Sequence, residues 1–150
     1  MHAIAASGAG FLIAVLWFDL MFDVQCRKHS GEVLPADVLA SISAYYRRVT
    51  IEAWPMNRLI AVVMLVTLLA VVVEIGEHAD RWWIELASFA AVASAIGLAR
   101  TRTVPNAMRL GRALDTVEVQ SRLARAVYRD HLYCLGANVI LLTLQLTSRG

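Results

Sequence analysis

Charge is scarce in this chain. Only 17% of its 150 residues are Asp, Glu, Lys or Arg, against about 25% in an ordinary soluble domain. The hydrophobic share is 59% and the mean hydropathy +0.59, where about 45–50% apolar is usual. That excess does not fit inside one small core. The few charges are clustered and leave long uncharged runs between them, which argues against an ordinary soluble domain and for a bilayer. Cysteine is nearly missing too. Cys26 and Cys134 stand alone, in no metal or redox spacing such as CxxC. Lys28 is the single lysine among fourteen basic residues. A net charge of +2 is too small to suggest nucleic acid, and its placement suits lipid head groups. There is no P-loop, GxSxG, HExxH or dinucleotide fingerprint. Nor is there a repeat or a Gly/Ser linker, and the length argues for one domain.

Four apolar runs remain: Ala3–Phe22, Met56–Ile75, Trp82–Ala99 and His131–Leu146. Each is near the ~20 residues that cross ~30 Å of hydrocarbon. The last is short and can continue as the same helix back through Tyr128. The only candidate charge before the first is His2, with Asp19, Asp23, Arg27 and Lys28 after it, unlike a signal peptide, so it reads as a retained span. The expected fold is all-α: an integral membrane four-helix transmembrane bundle with amphipathic cytoplasmic helical segments.

Arginine sets the orientation. The first loop carries Arg27, Lys28, Arg47 and Arg48, with Arg58 just inside the second run. The third loop carries Arg100, Arg102, Arg109, Arg112, Arg122, Arg125 and Arg129. The second loop has only Arg81 against Glu74, Glu77, Asp80 and Glu85, and the C-terminus only Arg149. Loops one and three are therefore expected in the cytoplasm and both termini outside the plasma (inner) membrane. Both cysteines then lie on the reducing side, and no disulfide is expected.

Small residues at intervals of four predict helix-packing faces: Ala6, Gly10 and Ala14 in the first run, and Ala87, Ala91, Ala95 and Ala99 in the third. Such stripes serve dimerisation or, as the favoured expectation, packing within the bundle. Span two, rich in valine (Val62, Val63, Val66, Val71, Val72, Val73), suits lipid contact or knob packing. Ala36–Trp54 lies between Pro35 and Pro55 and reads as a helix. Asn106–Arg129 follows Pro105 and reads as another, with Glu118 and Arg122 at i, i+4. Its Arg122, Arg125 and Arg129 share one face, expected to meet solvent and anionic lipid.

Ionisable residues inside spans are the default pointers to function. Asp19 and Asp23 stand i, i+4 at the inner end of the first run. Arg58, Asn106, Arg109 and His131 are expected at the same level, with Asn57, Arg100 and Arg102. Together they suggest a pocket for the polar head of an amphiphile, with His131 or Asp19 as candidate proton acceptor. The alternative, favoured here, is that Asp19 and Asp23 simply pair with Arg58 or Arg109 and anchor the bundle. At the outer end, Glu74 and His78 sit i, i+4 and offer two metal ligands, with Glu85 or His2 needed to complete a site. A polar hairpin turned near Gly76, with interfacial Trp82 and Trp83, explains the same residues, so no metal and no cofactor are expected. The two acidic groups should be on the order of 20 Å apart and cannot share a di-metal site.

Val104-Pro105-Asn106 and Tyr128-Arg129-Asp130-His131, with the four-span layout, resemble the anthrone oxygenase-like family of small four-helix membrane proteins. The resemblance implies a four-helix membrane bundle. More distantly, it implies cofactor-free oxidation of aromatic polyketide-type substrates, with Asn106 and His131 as the positions to test. Asp19 and Asp23 do not match a feature of that family.

Three functions are carried forward. The preferred one is a non-catalytic membrane protein, either an accessory subunit or a binder of a lipid-like molecule. Its partners would be membrane lipids, including anionic head groups at the cytoplasmic face, and a homo-oligomer or larger membrane complex. The second is a small membrane enzyme acting on a hydrophobic substrate at the cytoplasm-facing pocket. The third is a transporter component, ranked last because no midplane charge is evident.

Overall fold

A computed structural model describes residues 1–75 and 82–147. Gly76, Glu77, His78, Asp80, Arg81 and Arg149, on which the outer hairpin, the Glu74/His78 metal pair and part of the charge asymmetry rest, lie outside the described residues. Among the described residues the chain is all-helical, with no strand. Its α-helices are α1 His2–Asp23, α2 Ala36–Tyr46, α3 Met56–Glu74, α4 Trp82–Leu98, α5 Val104–Arg112 and α6 Val117–Thr147. Among the described residues, three helical stretches are long and apolar enough to cross a membrane: His2–Lys28, Asn57–Glu74 and Trp82–Arg112.

Helix α1 packs along α3 and α6, and α4 packs along α3 and α6, so the four long helices form a bundle. The face that α1 turns inward is Ala5, Ala9 and Leu12, all buried, continuing to Asp23. This corrects the Ala6/Gly10/Ala14 stripe. A Cβ on Gly10 would meet nothing within 4 Å, whereas one on Gly8 would lie 1.9 Å from Thr67 Oγ1. Gly8, not Gly10, is what brings α1 against α3. On α4 the inward face is Glu85, Ser88, Val92 and Ala95, so the alanine stripe is shared between core and flank. On α3, Val71 is fully buried while Val62, Val66, Val72 and Val73 are exposed.

The short helices close one end. Pro35 precedes α2, and Asp37 in its first turn faces the positive end of the helix dipole. Val38, Leu39, Ile42 and Tyr46 follow helical spacing and are buried. They meet Ala107 and Leu110 of α5 and Leu123, Ala124 and Val127 of α6 in one apolar cluster. The expected helix over Ala36–Trp54 is shorter than that. It loosens into a π turn over Arg47–Glu52, where Thr50 Oγ1 donates to the Tyr46 carbonyl at 2.6 Å. Helix α4 similarly widens into a π turn over Ala99–Thr103, two residues before Pro105, which has no N–H to give the preceding turn.

The expected single helix Asn106–Arg129 is also two. Helix α5 ends at Ala113, whose φ of 53° is left-handed, a conformation costing about 1–2 kcal/mol outside glycine. Its N–H still reaches the Arg109 and Leu110 carbonyls, at 3.2 and 3.1 Å. Asp115 then takes Arg109 at 2.8 Å across the turn. The chain re-enters helix at Val117 and runs 31 residues without a break, or about 46 Å at 1.5 Å per residue. Arg125 leaves its expected lipid-facing row. Its guanidinium donates to the carbonyls of Glu32 (2.8 Å), His29 (3.3 Å) and Gly31, clamping the loop before α2.

Glycine 111 sets how closely α5 approaches the start of the Arg47–Glu52 turn. A Cβ there would lie 2.7 Å from Arg47 N and 2.9 Å from Arg47 Cα, both backbone atoms. Gly111→Ala should therefore lower the thermal stability of the detergent-solubilised protein by about 1–3 kcal/mol, the usual cost of overpacking. Gly97→Ala, where an added Cβ meets nothing within 4 Å, should leave it unchanged or raise it. Equal melting temperatures for the two variants would show that this close approach is not needed.

Candidate functional site

The closed end of the bundle carries a buried polar cluster that joins three helices. Asp23, at the end of α1, is 0% exposed. One of its oxygens accepts the Tyr46 hydroxyl of α2 at 2.6 Å, and the other accepts His131 Nδ1 of α6 at 2.7 Å. One helical turn away, Asp19 accepts the Tyr45 hydroxyl at 2.6 Å, and its second oxygen stands 3.8 Å from His131 Nε2. Tyr45 is held in turn by stacking on Phe22, ring centroids 4.0 Å apart. With Nδ1–H given to Asp23, the Nε2 edge of His131 is directed toward Asp19, as in other sites where a carboxylate fixes an imidazole tautomer.

Asp19, Tyr46 and His131 also line a cavity of about 520 Å³. Its walls are mainly apolar, including Leu12, Leu16, Met64, Val92, Ile96 and Met108, with Cys134 and Asn138 deeper along α6. Asn57, Arg58 and Trp54 border it on the side of α3. Asn57 Nδ2 reaches the Thr50 carbonyl at 3.5 Å, while its Oδ1 is buried without a partner. The polar lining is of both kinds: Asp19 accepts and stands beside His131 on one side, while Arg58, a donor, borders the side of α3. Such a volume suits a drug-sized ligand held by few polar contacts.

The structure brings together three of the expected site residues, Asp19, Asp23 and His131. Arg58 borders the same cavity, its guanidinium 5.7 Å from the Trp54 ring centre. Asn106 and Arg109 do not join them. Neither lines the cavity, and Arg109 is engaged with Asp115 on the surface. Arg109 lies on the far side of α5 from the buried Ala107, and Asn106 is half-buried on its flank. The expected pairing of Asp19 and Asp23 with Arg58 or Arg109 is likewise replaced by tyrosine and histidine partners. Arg102 instead meets the buried Asp130 at 3.2 Å. Tyr45 and Tyr46 are the site residues that sequence reasoning missed. Their signal was available: two adjacent tyrosines ending an amphipathic helix that must pack somewhere.

At the other end, Glu74 is 1% exposed. Gln145 Nε2 donates to its Oε2 at 2.9 Å and His2 Nδ1 lies 3.4 Å from it, while Oε1 is buried without a partner. Between the two polar ends lie Ala5, Ala9, Ala70, Val71, Val92 and Leu141 in one apolar cluster. No group of three or more His, Cys, Asp or Glu among the described residues is arranged to hold a metal. Comparison of the chain with family models, with curated proteins and with solved structures finds no match.

Burial, and then the Asp19 and Asp23 carboxylates, push the hydroxyls of Tyr45 and Tyr46 far above their ordinary value of 10.0. Both stay protonated as donors through the physiological range. Because the folded values are raised, this contribution to stability is complete below pH 10.0 and is lost as pH climbs above it. Tyr46→Phe should cost about 1.5–3 kcal/mol, the range for a hydrogen bond to a charged group. That difference should shrink above pH 10.0 in alkaline melting curves. A constant gap across that range would contradict the role of the phenol as donor.

Proposed function

We propose that this chain is a four-span membrane protein that binds a hydrophobic molecule by its polar head in the cavity between the long helices. The observation that carries the reading is the cavity of about 520 Å³, apolar in its walls and acceptor-lined where Asp19 and His131 meet. Helix α6 serves as the fourth span, although its composition is less apolar than that of the other three. Its polar residues His131, Asn138 and Gln145 recur at intervals of seven and are all buried. Leu132, Val139, Ile140 and Leu146, on its other faces, are exposed. An amphipathic helix whose polar stripe faces the bundle satisfies the bilayer as well as an all-apolar one.

The arginine-rich end lies in the cytoplasm and both termini lie outside the plasma membrane. The cavity then opens toward the inner leaflet, beside the exposed Trp54 and Val104. Where Asp19 and His131 meet, the site favours a neutral donor, such as a phenol, an enol or an alcohol, over a carboxylate or phosphate, which Asp19 would repel, while Arg58 borders the cavity on the side of α3. Association with a second copy or with a larger membrane complex, as an accessory subunit, is compatible with this role. The apolar cluster that seals the other half gives no support to a transport path.

A catalytic reading also has an observation in its favour. Asp23 fixes the His131 ring, so that Nε2 and Asp19 stand ready to accept a proton from the bound head group. The resemblance to anthrone oxygenase-like proteins fits an aromatic substrate here, with His131 at its polar end and Asn106 outside the cavity.

Native mass spectrometry of the protein released from mild detergent should show a retained small hydrophobic molecule. Ala61→Trp, which fills the cavity from an exposed position on α3, should abolish retention, and Asp19→Asn should weaken it. A bare wild-type chain, or retention indifferent to Ala61→Trp, would remove the binding role. If His131→Gln retains a molecule chemically different from the wild type's, the site is catalytic. If the molecules are identical, it binds only.

Orientation has its own test. Leu114, between α5 and α6, is 86% exposed, and the two native cysteines are buried. An impermeant thiol reagent should label Leu114→Cys in inside-out vesicles and leave it unlabelled in right-side-out ones. The reverse pattern would invert the topology.

A further inference from the structure

A second concavity lies on the outside of the bundle, along the seam between α4 and α6. Gly97, Thr101 and Arg102 form one side of it, and Arg129, Asp130 and Tyr133 the other. Asp130 does not oppose an anion here. It is 4% exposed, and it is taken by Arg102 Nε at 3.2 Å and by the Thr103 hydroxyl at 3.4 Å. That contact holds Arg102 through Nε, and its side chain remains 48% exposed. Arg129 is exposed beside it.

The seam changes character along its length. Continuing from Gly97 by helical steps, α4 presents Ser94, Ala90 and Leu86. From Tyr133, α6 presents Gly136 and Ile140. Leu86 and Ile140 are 55% and 56% exposed, and a Cβ added to Gly97 or Gly136 would meet nothing within 4 Å. By helical spacing these positions continue the concavity as an apolar channel leading away from the two guanidiniums and the phenol.

We infer that this seam binds one anionic phospholipid, its phosphate on Arg102 and Arg129 and one acyl chain laid over Gly97 toward Leu86 and Ile140. Guanidinium forks match phosphate oxygens, and a tyrosine at the head-group level is at home there. Charge complementarity selects the anionic lipid over a zwitterionic one, and the apolar channel selects a lipid over free phosphate. The inference rests on the membrane placement proposed above and is independent of what fills the cavity.

The test is native mass spectrometry of the full chain from micelles holding equal phosphatidylglycerol and phosphatidylcholine. The wild type should retain phosphatidylglycerol preferentially, and excess inorganic phosphate should not displace it. Arg129→Gln should reduce that preference about tenfold, as loss of one charge-assisted hydrogen bond implies. Gly97→Leu, which fills the channel without meeting protein atoms, should reduce retention of both lipids. Equal retention of the two lipids by the wild type, displacement by phosphate, or no effect of Arg129→Gln would each overturn the inference. The molecule held in the cavity should stay bound in both variants, so the two sites fail separately.

Discussion

A carboxylate with no exposed surface must be met on both oxygens, and Asp23 is met by two different helices. Leaving such a group ionised and unpaired costs several kcal/mol, and removing one partner of a buried pair typically costs about 3–5 kcal/mol. Tyr46 and His131 therefore do more than decorate the end of α1. Tyr46 can reach Asp23 only if α2 folds back beneath the bundle, and His131 can reach it only in one rotation of α6. The fold of the α2/α5 end follows from that requirement. Leu34 N donating to the buried Ser121 hydroxyl at 3.0 Å, and Arg125 holding the loop carbonyls, fasten the same return path from the other side.

Rotation of α6 then fixes everything along its inward stripe. With His131 turned to Asp23, Asn138 and Gln145 fall on the same face two and four turns later, and each is buried. Asn138 satisfies itself on the Cys134 carbonyl at 2.9 Å, so it does not demand a cross-helix partner and leaves the cavity open. Gln145 does demand one and finds Glu74 at 2.9 Å. The bundle is thus pinned by polar contacts at its two ends, while its middle is held by close apolar packing around Gly8, Ala9 and Leu141. The division of labour is a physical one: small residues allow close approach, and polar contacts at the ends select register.

How much of this the sequence disclosed depends on whether a residue's partner is local. The long helices were legible because an apolar run is a property of consecutive residues. Asp19, Asp23 and His131 were legible as a group because charge at the end of an apolar run is rare and the expected layout put them at one level. The partners of those residues were not legible. Arginines are the obvious match for carboxylates by charge, yet Arg58, Arg102 and Arg109 find Trp54, Asp130 and Asp115 instead. The small-residue stripe on α1 was misplaced by one position, because Ala5, Ala6, Ala9 and Gly10 offer two equally small faces and only the opposing Thr67 distinguishes them. The break at Ala113 was hidden because alanine is the best helix former, and the close approach of Gly111 to the Arg47 backbone that accompanies it is a tertiary contact.

The cavity itself follows from the same geometry. Helices α2 and α5 occupy the space beneath the bundle and pack on α6 and on each other, away from α3. Above them, the inward residues of α1 and α4 are small or slim at the level of His131: Ala95 and Ala99 on α4, with Leu16 the bulkiest on α1. Higher up, Val92 and Leu141 close the gap with Ala5 and Ala9. The void therefore sits where a polar cluster is held from behind by Asp23 and from below by two tyrosines, and apart from Asp19, His131 and Arg58 it is walled mainly by apolar side chains. A group placed there meets a proton acceptor that cannot swing away, in surroundings with few competing polar atoms. That is the physical requirement for recognising, or deprotonating, the head of an otherwise apolar molecule.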